Sequence, residues 1–137
     1  MSTAIDNLQA ALTRAIAGRP KVGGFPYLAE TLRLAGVRRN EWHLPCFHSL
    51  YLTEDGPVVM PGPALVSGPT DVPPFDQERL VRALRADQSG ESTFPEFLTA
   101  AWAAGTVRYD VDFGARTVTY YGCNGEAYVE AYPAVEV

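Results

Sequence analysis

Two copies of the same short motifs stand at a constant spacing in this chain, and this repetition constrains the fold more than any other feature. Phe25-Pro26 and Ala35-Gly36 recur as Phe94-Pro95 and Ala104-Gly105. The same displacement of 69 residues matches three further pairs without a gap: Arg39 with Arg108, Tyr51 with Tyr120, and Gly56 with Gly125. Two copies of one supersecondary unit predict a duplicated domain with an internal pseudo-twofold axis.

Length and composition are those of one globular domain. The 137 residues include 47% hydrophobic and 20% charged residues, which provides enough apolar material for a sizeable core. No run approaches the ~18 consecutive apolar residues of a membrane-spanning helix. The first residues lack the basic start of a signal peptide. We therefore expect a cytoplasmic protein without a membrane partner.

The formal net charge of −5 argues against a nucleic-acid partner. A nucleic-acid binder needs a basic face to neutralise phosphates. The most regular basic row here, Arg79, Arg82 and Arg85, has the spacing of a solvated helix face. Cys46 and Cys123 occupy non-equivalent places in the two repeats, so we expect reduced thiols rather than a disulfide.

Each repeat is predicted to contain two helices followed by a meander of antiparallel strands. Phe-Pro opens the second helix of each pair, because proline in the first turn sacrifices no hydrogen bond. Ala-Gly closes that helix, with glycine free to adopt the left-handed cap. The prediction is an α+β fold with internal duplication of this αα-plus-β unit and with the helices packed on one face of the sheet. It forms one domain over residues 1–137, with repeat 1 at about 4–60, a connector at 61–75 and repeat 2 at about 76–133.

Turn signals set the predicted strand register of the second repeat. Gly114-Ala115 and Asn124-Gly125 are both expected to form tight turns. Pairing across them places one set of residues toward the helices: Tyr109, Val111, Phe113, Val118, Tyr120, Val129 and Ala131. The opposite set faces outward: Arg108, Asp110, Asp112, Thr117, Thr119, Tyr121, Tyr128, Glu130 and Tyr132. Such alternation is typical of a sheet covered on one side only.

The first repeat follows the same plan, with Asp55-Gly56 expected to turn its last hairpin. Asn40, Trp42 and Leu44 are predicted to face the helices, and Arg39, Glu41 and His43 to face outward. The outward row also contains Leu50, Leu52 and Val59, where the second repeat has Thr119, Tyr121 and Tyr128. A monomer rarely leaves a sizeable apolar patch in water. We therefore expect this patch to be covered by the connector, by the other repeat or by another subunit, and the last of these would be a homodimer through Leu50, Leu52 and Val59.

One short segment concentrates the residues that could carry chemistry. His43, Cys46 and His48 lie within six residues of one another. A cysteine with a neighbouring histidine can serve as nucleophile and base, and all three residue types bind zinc, although a structural zinc site takes four ligands. A cysteine is more often a packing residue. No catalytic residue is therefore assigned, Cys46 with His48 or His43 is kept as a candidate pair, and no metal or cofactor is predicted.

Polar and aromatic residues on the predicted outer face of the second repeat indicate a binding surface. Tyrosine suits such a surface because it combines an apolar body with a polar tip. The predicted surface comprises Arg108, Asp110, Asp112, Thr119, Tyr121, Tyr128 and Glu130. We expect a non-enzymatic binding or protein-interaction domain whose partner is an unknown protein or a small ligand. The alternative is a small enzyme that uses the Cys46 segment as a nucleophile–base pair or as a metal site.

These residues also resemble a known family. The motifs that carry the resemblance are Phe25-Pro26-Tyr27-Leu28, His48-Ser49-Leu50-Tyr51, Gln88-Ser89-Gly90, Thr117-Val118-Thr119-Tyr120-Tyr121 and Gly125-Glu126. From about residue 10 to residue 133 the chain is similar to the small bacterial YdfO/YbcV-like proteins, whose members are often labelled phage envelope proteins. The resemblance implies an α+β fold and a bacterial or prophage origin. It implies no catalytic residues, and the chain departs from the family pattern at Leu44-Pro45-Cys46.

Overall fold

The protein folds into two αα-βββ units that share one sheet. The structure, a computed structural model, describes residues 2–137. The first unit contains α1 (Thr3–Gly18), α2 (Phe25–Leu34), β1 (Val37–His43), β2 (His48–Thr53) and β3 (Gly56–Pro61). The second unit contains α3 (Gln77–Gln88), α4 (Phe94–Ala103), β4 (Arg108–Asp112), β5 (Thr117–Tyr121) and β6 (Ala127–Ala131). The α+β prediction is confirmed.

All six strands are antiparallel and lie in the order β3-β2-β1-β4-β5-β6. The two units therefore join through β1 and β4, the first strand of each. Glu41 lies directly opposite Asp110 across this junction. These two residues are counterparts in the 69-residue repeat, so the pseudo-twofold axis passes between them.

The repeated motifs of the sequence bound equivalent helices. Phe25-Pro26 and Phe94-Pro95 open α2 and α4. Gly36 and Gly105 follow those helices with φ values of 95° and 85°, which only glycine adopts without strain. A Cβ at Gly105 would lie 2.5 Å from the carbonyl oxygen of Pro74 in the connector. Gly105 therefore permits both the helix end and the passage of the connector beside it.

The helices cover one face of the sheet, and the core lies between the two layers. Apolar stripes such as Leu8, Leu32, Leu80 and Leu98 on the four helices are buried. An aromatic row crosses the covered face of the sheet: Trp42, Tyr109, Tyr120 and Tyr128, with successive ring centroids 6.2, 5.4 and 6.4 Å apart. Phe94 and Phe97 of α4 pack edge-on against this row. No helix within residues 2–137 has the length and apolarity needed to cross a bilayer.

The first hairpin of the second unit differs from the tight turn predicted at Gly114-Ala115, and its counterpart in the first unit has a loop of the same length. Strand pairing ends at His43–His48 and at Asp112–Thr117, which leaves four-residue loops in both units. The last loop residues, Phe47 and Arg116, are repeat counterparts and have φ values of 55° and 56°. The turn predicted at Gly114-Ala115 is thus part of a longer loop that places a non-glycine residue in the left-handed region.

The last hairpin of the second unit corrects the predicted register of β6. Tyr121 pairs with Ala127, and the Gly122 N–H donates to the Glu126 carbonyl oxygen at 2.9 Å. The loop therefore has three residues and ends at Gly125, which has a φ of 87°. The predicted two-residue turn at Asn124-Gly125 was wrong by one residue. A slip of one residue moves every side chain of a strand to the other face.

The corrected register reverses five predicted positions. Tyr128 and Glu130 pair with Tyr120 and Val118, so they lie on the helix side rather than on the outer face. Tyr132 packs edge-on against Phe25 of α2, with ring centroids 5.1 Å apart. Val129 and Ala131 pair with Thr119 and Thr117, so they lie on the outer face rather than in the core.

Candidate functional site: the outer sheet face

The candidate site is the sheet face opposite the helices, which we call the outer face. Its residues form three rows that cross all six strands. From β3 to β6 the rows are Pro57, Leu52, Arg39, Asp112, Thr117, Ala131; then Val59, Leu50, Glu41, Asp110, Thr119, Val129; then Pro61, His48, His43, Arg108, Tyr121, Ala127. Val59 and Val129 at the two ends are 59% and 58% exposed. Within residues 2–137 no helix covers this face.

A charged band occupies the centre of the outer face, on β1 and β4. Arg108 Nη2 donates to Asp110 Oδ2 at 3.2 Å. The guanidinium of Arg39 lies 3.8 Å from the carboxylates of both Asp110 and Asp112. Glu41 completes the band opposite Asp110. Two arginines therefore face three carboxylates around the pseudo-twofold axis.

Asp110 is the most enclosed member of this band, with its side chain only 10% exposed. Burial raises the pKa of its carboxyl above the ordinary value; the positive charge of Arg108 opposes this shift and the negative charge of Glu41 adds to it. The Nε of Arg108 lies 3.1 Å from Asp110 Oδ1 without hydrogen-bond alignment. Charge neutralisation therefore acts within β4, between Arg108 and Asp110, and across to β1 through Arg39.

The two flanks of the band differ in chemistry. On β2 and β3 the flank is mainly apolar, with Leu50, Leu52, Pro57, Val59 and Pro61, and His48 lies at one end of it. On β5 the flank carries Thr117, Thr119 and Tyr121, and the Arg108 guanidinium stacks 4.4 Å above the Tyr121 ring. Leu50 and Thr119 are repeat counterparts, as are Leu52 and Tyr121. The duplication therefore yields one face whose β2–β3 flank is mainly apolar and whose β5 flank is polar and aromatic, with the small apolar residues of β6 beyond it.

Five residues of the predicted binding surface lie together on this face: Arg108, Asp110, Asp112, Thr119 and Tyr121. Asp112 also accepts a hydrogen bond from the Ala115 N–H at 3.0 Å and so helps to close the adjacent loop. Arg39 and Glu41 were placed outward by the sequence but not included in the predicted surface. The strand register across the pseudo-twofold axis, which the repeat alone does not specify, brings them beside Asp110.

Glu130, by contrast, lies on the helix side of the sheet. Its carboxylate accepts hydrogen bonds from Arg85 Nη1 at 2.9 Å, Gln88 Nε2 at 2.8 Å and the Tyr128 hydroxyl at 2.8 Å. Burial by itself would raise the pKa of Glu130, but these hydrogen bonds and the charge of Arg85 outweigh it and lower the pKa. Glu130 and Tyr128 therefore attach β6 to α3 and do not belong to the outer face.

The segment with both histidines lies at one end of the outer face. His43 and His48 pair directly across β1 and β2, and Cys46 is exposed in the loop between them. The Cys46 Sγ contacts the carbonyl oxygen of His43 at 3.8 Å, a weak interaction with the backbone. Within residues 2–137, no three His, Cys, Asp or Glu side chains cluster in a way that could hold a metal ion. Two clefts on the molecule lie elsewhere, one on α3 around Val81 and one between α1 and α2 around Thr31.

Fold and site together define an α+β protein in which a duplicated αα-βββ unit builds one sheet with an open, charged outer face. The chain belongs to the family described as "Protein of unknown function (DUF1398)", whose family model matches residues 14–131. Three curated relatives are similar over nearly the whole chain: an uncharacterized protein of Mycobacterium bovis and uncharacterized proteins of two strains of Mycobacterium tuberculosis. Each is 56% identical over 136 residues, which is 99% of this chain and 83% of the relative.

Proposed function

We propose that the protein is a non-enzymatic interaction domain and that its outer face binds a protein partner. The observation that supports this proposal is the row Val59, Leu50, Glu41, Asp110 on an uncovered face. Apolar side chains there lie beside charges of both signs, without a helix over them in the described chain. Contact surfaces between proteins commonly combine apolar and polar side chains.

The shape of the surface favours a macromolecule over a small ligand. Small-molecule sites are concave and enclose most of the ligand. The outer face is an open sheet surface, whereas two clefts of the described chain lie on the helices. A second copy of the chain, packed through Leu50, Leu52 and Val59, is one partner that this face could accept. The resemblance to YdfO/YbcV-like proteins adds no activity to the proposal, because it implies a fold and no catalytic residues.

Leu50→Lys tests the proposal with little risk to the fold. Leu50 lies opposite Glu41, so lysine there gains an opposite charge across the strands. The matched control is Leu34→Lys, since Leu34 is 64% exposed at the end of α2, on the helix side. Leu50 is half-buried, and a lysine stem can cover the same apolar surface while its ammonium group reaches water. For both variants the free energy of unfolding should therefore stay within ~1 kcal/mol of the wild type.

The readout is capture of proteins from a mycobacterial lysate by the immobilised chain, together with light scattering of the free chain. If the outer face binds a protein, the wild type and Leu34→Lys should capture the same proteins from the lysate. Leu50→Lys should fail to capture at least one of them. If the two lysine variants retain the same proteins as the wild type, the outer face is not the binding surface. A dimer lost only in Leu50→Lys would identify a second copy as the partner of this face.

The Cys46 segment supports a rival function less well. The pairing of His43 with His48 places two imidazoles beside the loop that carries Cys46. The thiol is exposed, whereas an enzyme site would need a concave pocket to hold its substrate. The rival therefore depends on the reactivity of this thiol, which alkylation measures directly.

A further inference from the structure

The two edges of the sheet differ in their capacity to pair with another strand. Along an antiparallel strand, residues alternate between those that exchange backbone hydrogen bonds with the neighbouring strand and those that point away from it. In β3 the Gly62 N–H donates to the Phe47 carbonyl oxygen at 2.9 Å, just beyond the strand. By alternation, residues 57, 59 and 61 direct their backbone groups away from the sheet.

The β3 edge is blocked by proline at two of these three positions. Pro57 and Pro61 have no N–H, which leaves Val59 as the single outward donor. Proline at outward-facing edge positions is a known protection against strand addition. This edge of the sheet is therefore poorly suited to receive another strand.

The β6 edge has the opposite character. The Tyr132 N–H donates to the Arg116 carbonyl oxygen at 3.0 Å, and the Gly122 N–H to that of Glu126 at 2.9 Å. Residues 127, 129 and 131 therefore direct their backbone groups outward. They are Ala127, Val129 and Ala131, all exposed, and each can donate and accept. With the one-residue difference in hairpin length, they correspond to Pro57, Val59 and Pro61 of the first unit.

We propose that β6 pairs antiparallel with β6 of a second copy of this chain, with the twofold axis at Val129. In that register Val129 faces Val129 of the partner subunit, and Ala127 faces Ala131 of the partner subunit. All three outward residues on each strand then exchange N–H and C=O groups, which closes about six hydrogen bonds. The result is a continuous sheet of two times six strands.

The side chains of β6 fit a second copy in this register. On the outer side only valine and alanine meet, and they are small enough to leave the backbones close. On the helix side Tyr128 falls opposite Glu130 of the partner subunit. Glu130 is the only charged residue in β6, so no like charges lie directly opposite each other.

The asymmetry of the two edges also predicts a closed assembly. A twofold pair uses both β6 edges and leaves the proline-containing β3 edges at its ends. Chain growth into fibres is thereby prevented. The inference is independent of the proposed function, since it concerns the strand edge and not the outer face.

The test introduces the prolines of β3 at the corresponding positions of β6. In Ala127→Pro/Ala131→Pro the lost N–H groups are ones that the sheet does not use, so the fold should persist. Sedimentation at micromolar concentration should show the wild type at twice the chain mass of 14.9 kDa and the variant at 14.9 kDa. Far-ultraviolet circular dichroism confirms that the variant is folded.

A second variant keeps the test decisive should the prolines prevent folding. Val129→Glu places two carboxylates opposite each other at the proposed axis, and Val129 is 58% exposed in the monomer. It should be folded and monomeric at the same concentration. Pro57→Ala/Pro61→Ala should have the reverse effect and produce species larger than a dimer, because it opens the β3 edge.

Three results would overturn the inference: a monomeric wild type at ~100 µM, a folded Val129→Glu variant that stays dimeric, or a dimer that dissociates only in Leu50→Lys. The last result would assign the dimer to the outer face.

Loss of lysate capture in Leu50→Lys with the dimer intact would support both proposals separately. A dimer sensitive to the β6 variants, with lysate capture unaffected by Leu50→Lys, would retain this inference and reject the proposed function.

Discussion

Replacement of Glu130 by glutamine tests the corrected register of β6 most sharply. The carboxylate accepts three hydrogen bonds, from Arg85, Gln88 and Tyr128, while its side chain is only 18% exposed. A hydrogen bond to a charged group contributes ~1.5–3 kcal/mol when buried. Arg85 is 53% exposed, so its share must be discounted for solvent screening. Glutamine also retains one acceptor oxygen, and we expect a loss of about 1.5 kcal/mol in the free energy of unfolding.

The assay is urea unfolding at pH 7 with a thermal melt as a second measurement. For a chain of this size the expected loss corresponds to a fall of about 5 °C in Tm. The folded-state pKa of Glu130 is lowered, so the ionised carboxylate stabilises the fold above its unfolded pKa, near ~4.3. That stabilisation is lost as the pH falls through the folded pKa. The difference between wild type and Glu130→Gln should therefore be complete at pH 7 and shrink below about pH 4.

Val129→Thr is the matched control on the adjacent residue. Val129 lies on the outer face, so its replacement by a β-branched polar residue should change the free energy of unfolding by no more than ~0.5 kcal/mol. A two-residue turn at Asn124-Gly125 would reverse both outcomes. Val129→Thr would then place a hydroxyl in the core and lower the free energy of unfolding, whereas Glu130→Gln would leave that free energy unchanged. That pair of results would refute the register.

Two further perturbations test the helix ends and the rival function. Gly105→Ala should lower the free energy of unfolding by about 3 kcal/mol or more, because it combines a φ of 85° with a backbone clash in the connector. Its counterpart Gly36→Ala meets the flexible end of the Glu54 side chain at 3.3 Å and should lower it by less in the same denaturant assay. Cys46 should react with iodoacetamide near neutral pH no faster than free cysteine, with Cys46→Ser as the blank. Fast alkylation that slows in His48→Ala would instead favour the enzyme.

The fold could be predicted from the sequence because its strongest signals are local and occur twice. Phe-Pro and Ala-Gly mark the ends of α2 and α4 through the physics of proline and glycine in helix termini. The repeat then transfers the order of elements from one unit to the other. These signals need no knowledge of which strands meet in space.

The register of β6 could not be predicted in the same way. Asn124-Gly125 favours a two-residue turn, yet the loop includes Cys123 and ends with Gly125 in the left-handed region. One extra loop residue exchanges the two faces of β6, and the ungapped repeat conceals it. The sequence does contain a charged partner for Glu130 on the helix side. A buried acid needs such a partner, and Arg85 of α3 provides it.

The candidate site was only partly visible in the sequence for a related reason. Alternation along β4 and β5 placed Arg108, Asp110 and Tyr121 outward, as the structure shows. The charged band depends on β1 lying beside β4, a pairing between strands 69 residues apart in the repeat. Sequence patterns report periodicity within a strand and say little about which distant strand becomes its neighbour.

A photo-crosslinking measurement in living cells tests the proposed interaction surface most directly. Benzoylphenylalanine at position 59 samples the outer face, and the same group at position 34 samples the helix side at similar exposure. After irradiation of cells that express the labelled chain, crosslinked species should form from position 59, be absent from position 34, and disappear when Leu50→Lys is added. Equal crosslinking from both positions, or crosslinking from position 59 that persists in Leu50→Lys, would contradict the assignment of the outer face as the binding surface.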